Sequence, residues 1–459
     1  MRTPTKTLTT AVSTLLLTAA ATLSAQQPAN VILIIGDGMD DHQITIARNY
    51  LVGSRGRLTL DQMPMRGVAQ VLTVNESGQA VYVADSANSA TSMATGEVTS
   101  RGRIATTAGS DQPIPTIIEL AEAAGMKTGL VSTASVTDAT PASFVAHINA
   151  RFCENPEAMQ DVEFSGIKIG DCTQHLAVNG GAGSISEQIA RSNVDVVLGG
   201  GSKHFAVNSA GGSTSVSDLA SANGYHVVTA AADMATAPAD QKLLGLFSPG
   251  TMPVRLQGEG GREAEKPVPS WANHISRYIG SVTMPEPMIC EPNPGFAGMP
   301  SMQSMTEIAL ARLRNDSGFF LMVESASIDK QSHERKPCGS IGELEQLNEV
   351  LDSALAFAES NPNTLIIVTA DHGQAAQMIP EESLFAAFGA PVFTRGRLAR
   401  IKTPEGTIMG VNYATNDFIM EEHTGVNIPV FSNQTGVGKI PTMITQPQIF
   451  ELVREHLGL

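Results

Sequence analysis

The chain has 459 residues, 42% of them hydrophobic, 16% charged and 5% aromatic, which is an ordinary globular composition with ample material for one large core. Its formal net charge is −16 and it carries no basic stripe, which argues against nucleic acid as a bound partner. Past the first 25 residues no apolar run is long enough to span a membrane, so no membrane contact is expected of the mature form.

The N-terminus predicts a secretory signal. Arg2 and Lys6 give a positive start, Leu8 to Leu23 is mostly Ala, Leu, Thr and Val, and cleavage is placed after Ala25. Residues 1–25 are read as a leader and 26–459 as a single domain, delivered to the periplasm or secreted. In an exported chain four cysteines imply disulfides. They are Cys153, Cys172, Cys290 and Cys338, and pairing of neighbours would close loops of 19 and 48 residues. None has a close Cys or His in zinc-ribbon spacing, which argues against a thiolate metal site.

Val31 to Ile35 is apolar throughout and reads as a central parallel strand, with Asp37 at its C-terminal end. Asp40 to Leu51 reads as a helix. The stretch from Val81 to Gly96 starts as an extended apolar entry, turns at Asp85-Ser86, and continues as a helix with Ser86 in its first turn. A serine there meets free backbone N–H groups and the positive end of the helix dipole, which would favour its alkoxide or an attached anion. An N-capping serine without chemistry fits the same residues.

Pro115 to Ala124 is helical and Thr128 to Thr133 a strand, so Asp138 and Thr140 also lie past a strand end. Ala142 to Arg151 is expected to be a short helix. Ile185 to Ser192 is a helix and Val194 to Leu198 a strand, whose Gly199-Gly-Gly-Ser202 ending lacks the lysine of a phosphate-binding loop. Lys203 and His204 are read as surface residues. Ser209 to Pro300 is expected to cover a flank of the sheet, with short helices at Thr229–Met234 and Ala239–Leu244, and with Trp271 and His274 as packing residues. Met302 to Arg314 is a helix, Phe319 to Val323 a strand, Gly342 to Glu359 a helix and Thr364 to Ala370 a strand. Residues 374–420 form an excursion or flap of short elements, and Gln446 to Leu457 closes the chain as a helix. Strands alternating with helices predict an α/β fold, doubly wound, with a mostly parallel central sheet flanked by helices on both faces.

Three apolar strands therefore end at carboxylates, Asp37, Glu324 and Asp371, and two of them run on to His333 and His372, with His423 adding a third imidazole. Any one of these residues is commonplace. Together they put anions along one sheet edge, which is costly unless cations lie among them. Mixed Asp and His donors suit zinc, and oxygen donors suit magnesium.

At these residues the sequence resembles the bacterial alkaline phosphatases. The matching motifs are Ile35-Gly-Asp-Gly-Met39, Asp85-Ser-Ala-x-Ser-Ala-Thr91, Thr137-Asp-Ala-Thr-Pro141 followed by His147 and Arg151, Glu324-x-Ala-Ser-Ile-Asp-Lys-Gln-x-His333, Thr369-Ala-Asp-His372 and Glu422-His-Thr-Gly425. The resemblance spans almost all of the mature chain. It implies hydrolysis of small phosphate monoesters to alcohol and inorganic phosphate, through a phosphoserine on Ser86. It implies two Zn²⁺ and one Mg²⁺ per chain. Asp329, His333 and His423 would hold the first zinc, and Asp37, Asp371, His372 and Ser86 the second. Asp37, Thr140 and Glu324 would hold the magnesium. Arg151 would grip phosphate oxygens with Asp85 behind it, and Asp138 and Lys330 would stand around the magnesium. The resemblance further implies the bridges Cys153–Cys172 and Cys290–Cys338 and a homodimer. With no evident leaving-group pocket, a broad substrate range is expected. The family has glycine where this chain has Asp40, which adds a charge beside the second zinc and the magnesium. The alternatives are a phosphodiesterase or sulfatase of the same superfamily and an inactive phosphate-binding protein. Sulfatases need a Cys/Ser-x-Pro-Ser/Cys-x-Arg motif that Cys290-Glu-Pro-Asn293 barely echoes, and the joint presence of Ser86 and Arg151 argues against an inactive protein.

Overall fold

The computed structural model describes Met1 and residues 28–459, except 161, 165, 166, 277, 382–384, 386, 387 and 389–394. The predicted leader thus lies outside the described residues, apart from Met1. A sheet of 10 strands forms the centre. In chain terms its order is Met443–Thr445, Met65–Gln70, Ile428–Ser432, Thr364–Ala370, Asn30–Gly36, Phe319–Ser325, Lys127–Ser135, Val196–Gly200, Lys242–Leu246 and Tyr225–Val228. Ile428–Ser432 runs antiparallel to both neighbours, and the other pairings are parallel.

The three middle strands are buried at every position, which is why they read as unbroken apolar runs. Helices cover both faces, as predicted. Asp41–Leu51, Met302–Leu313 and Pro337–Ser360 pack together on one side. Ser86–Thr95, Ile117–Ala123, Ala139–Ser143 and Pro447–Leu457 pack together on the other. Among the described residues no helix is long and apolar enough to cross a membrane. Both disulfides form, Cys153–Cys172 with Cα atoms 6.5 Å apart and Cys290–Cys338 at 5.4 Å.

Several expectations are corrected. Arg151 is not on a helix. The helix is Ala139–Ser143, after which Ile148 exchanges 3.0 Å backbone hydrogen bonds with Ile104, and Arg151 N–H donates to Gly102 O at 2.7 Å. Residues 239–244 do not form a helix. Lys242–Leu246 is a strand that fits between two parallel neighbours with Leu243 and Leu244 fully buried, so tertiary pairing overrides local propensity. His204 is buried rather than on the surface, and Trp271 is 78% exposed rather than packed. The excursion after residue 374 contains a three-stranded antiparallel sheet of Gln377–Ile379, Ile408–Tyr413 and Arg397–Lys402.

Candidate active site

Parallel register sets the site. Gly36 lies opposite both Ser325 and Ala370, so Asp37 and Asp371 leave adjacent strands at the same level, and Glu324, opposite Ile35 and Ser132, lies two residues below. The turn after Asp37 needs Gly38. Its φ is 67°, its N–H donates to Asp371 Oδ1 at 2.9 Å, and a Cβ there would stand 3.1 Å from Asp329 Cβ. Asp329 and His333 come from the helix Ser327–His333, which the strand carrying Glu324 feeds directly.

Ser86 opens the helix Ser86–Thr95, with Asp85 as its N-cap in a reciprocal bond with Asn88. Its Oγ lies 3.2 Å from His372 Nε2. His372 Nε2 also stands 3.4 Å from Asp37 Oδ1 and 3.3 Å from Asp371 Oδ2. Those two carboxylate oxygens and Thr140 Oγ1 are buried without a hydrogen-bond partner. His333 Nε2 lies 3.2 Å from Asp329 Oδ2, and His423 Nε2 lies 3.5 Å from Asp329 Oδ1. The His372 and His423 rings stack at 3.6 Å.

Each imidazole turns Nδ1 to a backbone carbonyl: His333 to Glu421, His423 to Ala84 and His372 to Gly373. With Nδ1–H donated, Nε2 is left as a lone pair. His333 Nε2 and His423 Nε2 face each other at 3.0 Å beside the Asp329 carboxylate. Asp329, His372 and His423, and likewise Asp37, Asp371 and His372, bring ligand atoms close enough together that each group could hold a metal ion.

The electrostatics divide the site: burial lowers His333, but Asp329 and the Glu421 carbonyl outweigh it and raise His333 above its ordinary value. Burial, with Asp371, Asp329 and Glu324 nearby, raises Asp37 well above the ordinary carboxylate range. Burial pushes Asp371 up to about 6 and Glu324 up to about 8, although Ser132 donates to Glu324. Burial holds His372 and His423 down to about 4, His423 being further lowered by His372 beside it. Asp329 goes the other way: burial raises it, but His333, His423 and His372 outweigh that and hold it well below the usual range.

Arg151 closes the side away from the histidines. One guanidinium nitrogen is 3.3 Å from Asp85 Oδ2 and the other 3.0 Å from Asp138 Oδ1, while Lys330 Nζ holds the second Asp138 oxygen at 2.5 Å. Burial raises Asp138, but Lys330 and Arg151 overcome it and keep it ionised. The cleft between these groups has a volume of ≈ 510 Å³; Ser86, Arg151 and His423 line it together with the less polar Phe152, Ile419 and Met420.

All the candidate residues thus converge, whereas His147 lies elsewhere, bonded to Ala105 O and Glu119. Asp40 is turned to backbone amides. Its carboxylate caps the helix Asp41–Leu51 by accepting from His42 N and Gln43 N, and it accepts from Gln374 N at 3.3 Å. Sequence reasoning missed Gln374, whose Nε2 donates to Asp329 Oδ1 at 2.6 Å and fixes that carboxylate's direction. Its position just past Asp371-His372-Gly373 was the available signal.

The alkaline phosphatase family model matches residues 28–439. The chain belongs to the alkaline phosphatase family. Alkaline phosphatase H of Pseudomonas aeruginosa is 38% identical over 447 residues, covering 95% of this chain and 87% of that one. The alkaline phosphatase of Escherichia coli is 37% identical over 447 residues, covering 95% and 88%. The solved alkaline phosphatase of the Antarctic bacterium TAB5 superposes with a TM-score of 0.65 at 22% identity, covering 94% of this chain and 98% of that one, and so shares the fold. As a member of this alkaline phosphatase family the chain is a phosphatase acting on phosphate monoesters.

Proposed function

We propose that this phosphatase works through a phosphoserine on Ser86, at a site that holds two zinc ions and one magnesium ion. The observation that carries the reading is the pair of facing Nε2 lone pairs of His333 and His423 beside Asp329, repeated by His372 between Asp37 and Asp371. Asp329, His333 and His423 would hold one zinc, and Asp37, Asp371, His372 and Ser86 the other. Asp37, Glu324 and the unpartnered Thr140 hydroxyl offer oxygen donors for magnesium. A variant of the TAB5 enzyme is described with magnesium bound, which agrees with that third position.

When bound, the zinc ions would lower the pKa of the Ser86 hydroxyl and of water and offset charge on the departing alcohol oxygen. The chain's own groups do the rest. Ser86 Oγ, at a helix N-terminus, attacks phosphorus as its proton passes to solvent, and the ester oxygen leaves with the bond's electron pair and takes up a proton from solvent to become the alcohol. Water then attacks the phosphoserine, releasing phosphate and returning the serine. Arg151, always charged and set by Asp85 and Asp138, presents a two-pronged donor to the phosphoryl oxygens. The open cleft favours no single alcohol, which supports a broad range of substrates. The reading includes export to the periplasm by the leader, where the two disulfides would persist, and the homodimer implied by the sequence resemblance.

The test is hydrolysis of a chromogenic phosphate monoester at alkaline pH by the mature chain. It is run as purified, after chelation, and after return of Zn²⁺ and Mg²⁺. Activity lost to the chelator and restored only by both metals is the expected result. Activity that survives complete chelation, or that prefers a diester or a sulfate ester, overturns the reading.

A further inference from the structure

We infer that Arg335 and Glu421 form a positioning latch that aims His333 and His423 at one shared cation. The inference rests on the reading of those histidines as metal donors. Arg335 stands two residues after His333, and Glu421 two residues before His423. Their side chains are 4% and 0% exposed, and Arg335 Nε donates to Glu421 Oε1 at 2.8 Å.

The pair organises a segment otherwise held by an exposed Lys266–Asp417 ion pair and by bonds within itself. Residues 414–423 contain neither helix nor strand, and Phe418 and Ile419 are 59% and 65% exposed, so hydrophobic burial does not fix this stretch. The Arg335 guanidinium instead gathers its carbonyls, donating to Phe418 O at 2.8 Å and to Ile419 O at 3.3 Å. Glu421 Oε2 gathers its amides, accepting from Thr415 N at 3.1 Å, from the Thr415 hydroxyl and from Asn416 N at 3.4 Å. The loop is thus wrapped around one buried ion pair, every charge of which is hydrogen-bonded.

The same pair fixes His333 directly, while His423, at the end of the loop, turns its Nδ1 to Ala84 O. Glu421 N–H donates to His333 O at 3.0 Å, and Glu421 O accepts from His333 Nδ1 at 2.5 Å. Locking Glu421 therefore sets both the ring direction and the tautomer of His333, leaving its Nε2 lone pair opposite His423 Nε2. Arg335 holds a φ of 60°, an unfavourable left-handed conformation for a residue with a Cβ, and its carbonyl accepts from Ala264 N at 2.9 Å. The surrounding contacts over-determine that conformation, as expected where the direction of the side chain matters.

The experiment is a competition titration of the metal-stripped mature chain with Zn²⁺ against a chromogenic chelator. It compares the wild type with Arg335→Met, Glu421→Gln and the double variant Arg335→Met/Glu421→Met. Circular dichroism verifies the fold of each. The single variants should weaken one zinc site roughly 10- to 100-fold and leave the other unchanged. The double variant removes both buried charges, so its thermal stability should recover relative to the singles. Its zinc affinity should stay weakened, because the loop carbonyls and amides lose their organiser. Wild-type affinity in either single variant, or recovery of affinity along with stability in the double, overturns the latch. If Arg335→Met does not fold, Glu421→Gln and the double variant decide. His423→Ala is the control for the underlying reading: should it keep both zinc sites intact, the assignment of the histidines fails, independently of the latch.

Discussion

Ser86 is held in place from two sides. Asp85 caps the helix it opens, and His372 Nε2 stands 3.2 Å from its hydroxyl. Ser86→Ala removes the proposed nucleophile and one proposed metal donor while the carboxylates and imidazoles remain. Turnover of a monoester should fall by several orders of magnitude with zinc content retained, as read by elemental analysis beside the assay. Retained turnover would remove serine from the mechanism. At this scale the sequence was informative where chemistry repeats a motif. Asp37, Asp371, His372 and Arg151 could all be named before the structure was seen. Asp40 could not be placed, because a side chain's direction follows from the turn it occupies: here it caps a helix and ties down Gln374. Gln374 was passed over because an amide carries no charge signal, and its value lies only in the 2.6 Å bond to Asp329.

Among the elements, continuous apolar strands were legible because burial on both faces leaves no polar position. The strands Lys242–Leu246 and Ile428–Ser432 were not. The first is short and contains Gly245. The second carries Pro429, and a proline inside a run argues against a strand unless the N–H it lacks is not needed there. Their pairing is decided by neighbours distant in sequence. The helix that begins at Ser86 ends at Gly96, whose φ is 78° and whose missing Cβ leaves room for the Phe450 ring of the C-terminal helix; a Cβ would come within 2.7 Å of it. Gly96→Val should cost roughly 1–3 kcal/mol from backbone strain and overpacking. Thermal unfolding of the metal-loaded enzyme would show a lowered Tm, and an unchanged Tm would mean that the two helices separate without penalty.

For the molecule as a whole, the buried carboxylates tie stability to pH. In the metal-free protein burial holds Glu324 up to about 8 and Asp37 well above its ordinary value, whereas the unfolded chain ionises both near pH 4. From about pH 6.5 to 8 the folded state therefore binds a proton at Glu324 that the unfolded state has lost, and stability falls as pH rises, by up to about 1.4 kcal/mol per pH unit for that proton. Asp329 and Asp138, held low, are ionised in both states across this window and add no slope. Below about pH 6.5, His372 and His423 work in the opposite direction, since the unfolded chain takes up protons that the fold refuses. The chelated protein should lose Tm between pH 6.5 and 8, and Zn²⁺ with Mg²⁺ should flatten that slope by keeping the carboxylates ionised in the fold. A Tm of the chelated protein that rises across the same window would contradict these assignments. The sheet order also sets the timing of assembly. Asn30–Gly36 is made first, yet its two hydrogen-bonding neighbours are Phe319–Ser325 and Thr364–Ala370, and the last imidazole is His423. A ribosome-bound or half-translocated chain carries Asp37 with no companions, so ions met early in biosynthesis find no finished cage. The group of side chains cannot assemble until strands as distant in the chain as Asn30–Gly36 and Phe319–Ser325 have paired.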